Sequence, residues 1–461
     1  MRPHAEREEY RHAHRIQKNA RGITTVPEIT CLRRPYNLVN NPMRTLHTRT
    51  FFLYPIALVA VALAWTTAGI AADGPYWPRF RGPRNDNLST EIGLLKQWPE
   101  GGPKLLWKAS GIGEGFATVA VADGLIYTDG NIDDKTIITA LDLDGRVRWQ
   151  VPTGKAWTGS QSGTRGTPIL DGDRLYYESP LGEVVCLEAK TGRRLWEMNI
   201  LEKFDSKNTT WALAESLLID GDRLICCPGG PRSAVVALEK RTGQVVWKSP
   251  SAGDLAGYAS PILAEHNGLR MILTMTSRAV IGVNAENGDL LWRYEHVTPY
   301  DENICTPIFH DGWVFISTGH RVGSVMLKVN VEGKKAAVEE VWRSKDMDNH
   351  HGGVILLNGC LYASCWSAPW WVCLDWKTGK KLHEDRGVGK GSLAYADGML
   401  YTLGEQGEAA LVHATPEGHP IAGRFRVPAG GNGPVWAHPV VCGGRLYIRH
   451  GDFLYAYDIK A

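Results

Sequence analysis

Two adjacent histidines, His350-His351, and a third, His438, are the side chains in this sequence best suited to hold a metal ion or move a proton. A shared ion would also need a carboxylate, and Glu215 is the candidate. Neighbours on a strand point to opposite faces, so only one of the adjacent pair can turn toward a common ion. No metal site is therefore expected. Cys226-Cys227 is a second pair with chemical potential. A disulfide between neighbours closes a small, strained ring, so two reduced or independently buried thiols are expected. The eight cysteines after residue 71 match no zinc spacing. Most sit among apolar residues, where cysteine serves as a small core side chain.

A wider set of polar and aromatic residues shares one position in the chain, just ahead of an apolar run. It comprises Arg165 in SQSGTRGTP, Trp211 and Glu215 in WALAES, Tyr258 and Ser260 in GYASP, and Asn303 and Thr306 in ENICTP. His350 and His351 in NHHGG, Lys390 in GKGS, and Trp436 and His438 in VWAHP complete it. Cations, a carboxylate, an amide, imidazoles and aromatic rings form a ligand-binding rim if the fold brings them to one mouth. None of them stands in a pattern that defines a nucleophile or an acid–base pair, so no catalytic residue is assigned.

The elements behind these residues repeat. Each apolar run is the first arm of a hairpin whose turn carries a glycine: Gly124, Gly172, Gly221, Gly268, Gly312, Gly359, Gly398 and Gly444. Downstream comes a second turn and, in most copies, a tryptophan, as in LEAKTGRRLW ending at Trp196. Related strings end at Trp149, Trp247, Trp292, Trp342 and, with histidine instead, His383. The turn glycines Gly145, Gly192, Gly243, Gly288, Gly333 and Gly379 are 45 to 51 residues apart, the period of a four-stranded propeller blade. The last copy stops after LYAYD without a fourth strand, while PKLLWKA, with Trp107, precedes the first hairpin as an orphan strand. An all-β fold follows: an eight-bladed β-propeller of four-stranded antiparallel blades, its last blade closed by the N-terminal strand. The six tryptophans 107, 149, 196, 247, 292 and 342 are expected to dock between blades.

Composition agrees with this reading. Of 461 residues 43% are hydrophobic and 22% charged, enough to build a large core, and 51 glycines and 17 tryptophans fit a turn-dense β protein. The first 71 residues carry ten Lys and Arg against four acids, which leaves the remainder mildly acidic and gives no reason to expect nucleic-acid binding. From Met43 a basic start, an apolar run from Phe51 to Trp65 and small residues up to Ala71 read as a secretory signal peptide. Residues 1–42 then read as a disordered, non-native extension, 43–71 as the signal peptide, 72–103 as a lead-in segment and 104–461 as the propeller. A retained membrane anchor is the alternative for 43–71, although the run is short and contains Pro55. No cysteine follows it for lipid attachment. A monomer outside the cytoplasm, periplasmic or secreted, with no membrane span in its mature part is expected.

The repeat resembles the tryptophan-docking motif of the pyrroloquinoline quinone (PQQ) propeller superfamily over residues 77–461. YWPRFRGPRNDNLSTE, GLLKQWPEGGPKLLWK, NHHGG, GKGSLAYADG and AHPVVCGGRLYIR are similar to segments of exported PQQ-like propellers of planctomycete-type bacteria. The superfamily includes quinoprotein dehydrogenases and non-catalytic members such as the outer-membrane assembly lipoprotein. The resemblance therefore implies either a binding or scaffold propeller for a protein, peptide or carbohydrate, without a cofactor, or a dehydrogenase for alcohols or sugars that uses PQQ with calcium. A vicinal cysteine pair lies near the quinone in some of those dehydrogenases, in a different local context from LICCPGG. No calcium or catalytic motif of theirs can be placed on this sequence.

Overall fold

Thr191 and Gly192 turn the third strand of a sheet, Glu183–Glu188, into its fourth, Arg194–Asn199. The register slips by one residue between Cys186 and Leu187, a bulge that sets Cys186 opposite Trp196. Small residues oppose the ring in other copies: Ala140 faces Trp149, Ala237 faces Trp247 and Gly282 faces Trp292, each beside its own bulge. Gly192 has φ +73°, and a Cβ there would lie 2.9 Å from the ring of Trp149 in the preceding blade. The turn glycine is thus required twice, for its backbone conformation and for the neighbouring indole lying against it.

A computed structural model of the chain describes residues 74–461. The expected extension and signal peptide lie outside the described residues. Among those described, eight four-stranded sheets form, each ladder antiparallel. Blades 1 to 7 span 120–155, 169–199, 218–248, 262–295, 308–344, 355–385 and 391–426. Blade 8 joins Lys104–Ala109 to Phe453–Asp458, so the first and last strands of the described residues share one sheet, as expected. No helix among the described residues is long and apolar enough to cross a membrane.

The buried apolar residues fall into eight clusters, one at each seam between neighbouring blades. Each sheet covers the next, and the ring needs no other core. The docking indoles also cross the seams. Trp107, Trp149, Trp196, Trp247 and Trp342 donate their ring N–H to Leu143, Ala189, Lys240, Ala285 and Trp376, carbonyls in the next blade, at 2.9 to 3.2 Å. In blade 6, His383 stands in the same register, opposite Cys373, and its Nδ1 meets the Pro416 carbonyl at 2.9 Å. Trp292 differs. The outer strands of blade 5, Gly323–Glu332 and Lys335–Ser344, run ten residues each, so their turn lies beyond reach and the buried Nε1 of Trp292 finds no partner.

Inside the ring, equivalent positions at the start of the inner strands carry Thr118, Thr167, Ser216, Ser260, Thr306, Gly353, Ser392 and His438. Backbone N–H groups of one blade donate to hydroxyls of the next: Thr118 to Thr167, Thr167 to Ser216, Ser216 to Ser260. The lead-in segment crosses this channel. Trp77 pairs with Val121 of blade 1 and the Pro78 carbonyl accepts from Leu170 of blade 2. Arg81 then donates to the Val354 carbonyl of blade 6 at 2.7 Å, and Asn87 to the Leu393 carbonyl of blade 7 at 2.6 Å. Blades 2 and 6 are opposite in a ring of eight, so the segment bridges the axis. Gly353 makes room for it, since a Cβ there would stand 3.0 Å from the Arg81 guanidinium and 2.9 Å from His438.

Candidate functional site

The loops that lead into the inner strands gather at the channel mouth opposite the turns of the inner hairpins. Trp436 stands between Phe116 and His351, with ring centroids 4.9 Å from each. The Arg165 guanidinium lies 5.8 Å from the Phe116 ring and 6.0 Å from Trp157, and Lys390 lies 5.9 Å from Trp436. Trp211 packs on Tyr258 at 6.2 Å in the loops leading into blades 3 and 4. These blades are not consecutive in sequence; closure of the ring is what brings blades 1, 2, 6, 7 and 8 to one patch. Arg165, Trp211, Tyr258, His350, His351, Lys390 and Trp436 therefore share the rim. Phe116, just ahead of the inner strand of blade 1, and Trp157, further upstream of that of blade 2, belong with them although the sequence alone does not single them out.

The charges on this patch are unevenly compensated. Glu405 accepts from the indole of Trp436 at 3.1 Å and pairs with Lys390 at 3.3 Å. Arg165 donates instead to the carbonyls of Gly163 and Gln161, and among the described residues no carboxylate pairs with it. Burial lowers its pKa to about 10, which still leaves it charged at neutral pH. Burial, with Lys390 nearby, pushes His351 well below the usual imidazole range, so that ring is neutral. The rim thus presents flat aromatic faces around one uncompensated guanidinium.

Three sequence candidates lie beneath the rim. His438 is buried, its Nε2 2.8 Å from the His351 carbonyl and its Nδ1 3.2 Å from the Asn87 amide. Asn303 is fully buried and donates to the carbonyls of Thr276 and His296. Glu215 is buried and accepts from the backbone N–H of Cys227 at 2.8 Å. Burial raises its pKa, and burial followed by the nearby Glu215 charge raises that of Glu178 further, so this pair retains a proton. Cys226, Cys227 and the other six described cysteines are free and buried.

The carboxylate that joins the histidines is Glu302, in place of the Glu215 named from the sequence. Its Oε2 lies 2.5 Å from Nε2 of His320 and 3.0 Å from Nε2 of His350. Burial alone would raise Glu302, but hydrogen bonds from the two imidazoles hold it down at about 2. His350 and His351 sit in a loop outside the strands, with Nδ1 atoms 3.3 Å apart. His350 turns to Glu302 and His351 to Trp436.

A family model described as outer membrane protein assembly factor BamB, a PQQ-like repeat, matches residues 99–210 and 133–383, more than half of the chain. The chain belongs to this family. Among curated proteins, a quinoprotein ethanol dehydrogenase of Pseudomonas aeruginosa is 30% identical over 174 residues, 34% of this chain and 28% of that protein. The outer membrane protein assembly factor BamB of Yersinia pestis is 24% identical over 194 residues, 40% of this chain and 46% of that protein. The chain thus matches less than half the length of either relative. Among solved structures, a europium-containing methanol dehydrogenase aligns with TM-score 0.58 and 13% identity, covering 82% of this chain and 90% of that one, a likeness of fold.

This PQQ-like propeller therefore has relatives named as assembly factors and as dehydrogenases, and its own side chains must decide between them. Calcium takes six to eight oxygen ligands. Here Glu302 is engaged by two imidazoles, Glu405 by a lysine and an indole, and Glu215 and Asn303 are turned into the interior. That arrangement does not fit a calcium cage.

Proposed function

We propose that this protein is an exported, non-catalytic binding propeller that holds a carboxylate-bearing partner, a protein, peptide or carbohydrate, on the rim around Trp436. The observation that carries this reading is Arg165, a cation without a carboxylate partner, set among Phe116 and Trp157 beside Trp436. A guanidinium fixed by its own loop carbonyls is pre-organised to receive a carboxylate, and the aromatic faces accept a sugar ring or a flat side chain. The lead-in segment closes the channel behind this patch, so a ligand would rest on the mouth without passing through. The competing reading, a quinoprotein dehydrogenase, draws on the Pseudomonas relative and finds no oxygen cage here.

One experiment with two arms separates them. The protein is titrated with PQQ plus calcium, following absorbance and dye-linked ethanol oxidation, and separately with polygalacturonate and acidic peptides, following tryptophan fluorescence. We expect saturable quenching by an acidic ligand that is lost in Trp436→Ala and in Arg165→Gln, and no oxidation. Stoichiometric PQQ binding with turnover would overturn the binding reading.

A further inference from the structure

We infer that Glu302, His320 and His350 form a binding site for one divalent transition-metal ion of the zinc class, at the seam of blades 5 and 6 on the rim. The inference goes beyond the binding reading above and holds whatever ligand the rim takes. The three donors come from separate pieces of chain. Glu302 lies in the loop leading into blade 5, His320 in the turn between that blade's second and third strands, and His350 in the loop leading into blade 6. Their ligand atoms all lie within 4.8 Å of one another, and among the described residues this is the single group of three or more His, Cys, Asp and Glu that converges so closely.

The donor set selects the metal. Two imidazole nitrogens and one carboxylate suit zinc, cobalt, nickel or ferrous iron, whereas calcium and magnesium require oxygen. Three protein ligands leave at least one position for water or for a group of a rim-bound ligand. The side chains of His320, Glu302 and His350 are 6%, 5% and 14% exposed, so an ion could be reached from the mouth while remaining largely shielded.

The supporting structure is that of a held site. The His320 ring lies 4.3 Å from Trp366 and 5.3 Å from Tyr300, and meets the His350 ring at 87°. Backbone strain is concentrated around it: Tyr300, Asp301, His320 and Arg321 all have φ between +57° and +67°, a region non-glycine residues seldom occupy. A ligating histidine also needs a partner for its other nitrogen. With Nε2 of His350 on a metal its proton resides on Nδ1, and Nδ1 of His351 stands 3.3 Å away to accept it. His351 then carries its own proton on Nε2, a buried atom without a hydrogen-bond partner among the described residues, which is the cost of that arrangement.

The test uses Co²⁺, whose visible d–d absorption reports coordination. Chelator-treated protein is titrated with Co²⁺ and then with Zn²⁺, and the thermal midpoint is followed alongside. The expected result is one equivalent of Co²⁺ with d–d bands, displacement by Zn²⁺, and a raised midpoint. Affinity should fall at least about 100-fold in His320→Ala and His350→Ala, and about 10-fold to 100-fold in His351→Phe, which removes only the supporting acceptor. Circular dichroism confirms that each variant folds, and Glu302→Gln, which keeps the shape, replaces any that does not. Absence of d–d bands, or equal Co²⁺ binding by the wild type and the ligand variants, would overturn the inference and leave the trio as a hydrogen-bonded brace.

Discussion

A docking indole contributes apolar area whatever its surroundings, but its N–H is an asset only where a carbonyl meets it. Trp196 has such a carbonyl in Lys240 at 3.0 Å, whereas the Nε1 of Trp292 is buried without one. Substitution by phenylalanine keeps most of the area and removes the donor. Trp196→Phe should therefore cost about 1 kcal/mol more than Trp292→Phe, the usual net worth of one hydrogen bond, in paired denaturant melts. Trp196→Ala should cost about 3–5 kcal/mol as a large-to-small change at a seam. Buried imidazoles set the acid limit. Burial lowers His419 and His438 to about 4, and the Arg81 guanidinium adds to the effect at His438. As pH falls below 6.5 the unfolded chain takes up these protons before the folded one, so stability present above 6.5 is lost progressively down to about 4. The loss is about 3 kcal/mol per histidine over the whole window. His419→Phe keeps the stack on Trp371 and should flatten that acid limb in thermal melts run from pH 7 to 4.5, and an unchanged slope would count against it.

Each seam needs one large side chain across it, and one of the eight is filled from an unexpected place. The fourth strand of blade 7, Ile421–Arg426, has no tryptophan, and Trp98 of the lead-in segment takes its place. It packs on Tyr401 and Phe425 within the seam of blades 7 and 8, and a Cβ on Gly423 would lie 2.6 Å from its own Cβ. Trp98→Ala should thus cost about 3–5 kcal/mol although the residue lies outside every blade, and a cost below 1 kcal/mol in denaturant melts would refute that role. The difference between blades also explains what could be read in advance. In blades 1 to 4 turn glycine, bulge and indole lie within 11 residues of chain, and this recurrence exposes their geometry directly. Trp98 belongs to no repeat, and the distance from its strand partner in sequence hides its function. The same holds for the site: Arg165, Lys390, His351 and Trp436 are visible because each precedes an inner strand, the one position a propeller always brings to the mouth. Glu302 also precedes one, yet it has no significance until His320 reaches it from a turn between strands, which no spacing announces.

At the scale of the ring, stability depends on the one blade that strands far apart in sequence must close. Lys104–Ala109 pairs with Phe453–Asp458, and Arg449, fully buried in the same blade, donates to Gly113 and Ala117 carbonyls and to Thr128 of blade 1. Every other blade is formed from contiguous chain, so blade 8 is the only one among the described residues whose sheet must be completed by strands far apart in sequence. The strand pair that closes it should therefore open early in unfolding. Lys104 and Asp458 are direct partners in this ladder. Opposed residues of an antiparallel pair stand at Cα separations of about 4.5–5.5 Å, within the range a disulfide spans. Lys104→Cys with Asp458→Cys should then oxidise readily. Because the bond encloses nearly the whole propeller, it should slow unfolding at least about tenfold, the effect of roughly 1.4 kcal/mol on the barrier, with reduction restoring the original rate. The measurement is the unfolding rate in concentrated denaturant with and without reductant. Equal rates would mean that another seam opens first, and that the ring is weakest somewhere other than where its ends meet.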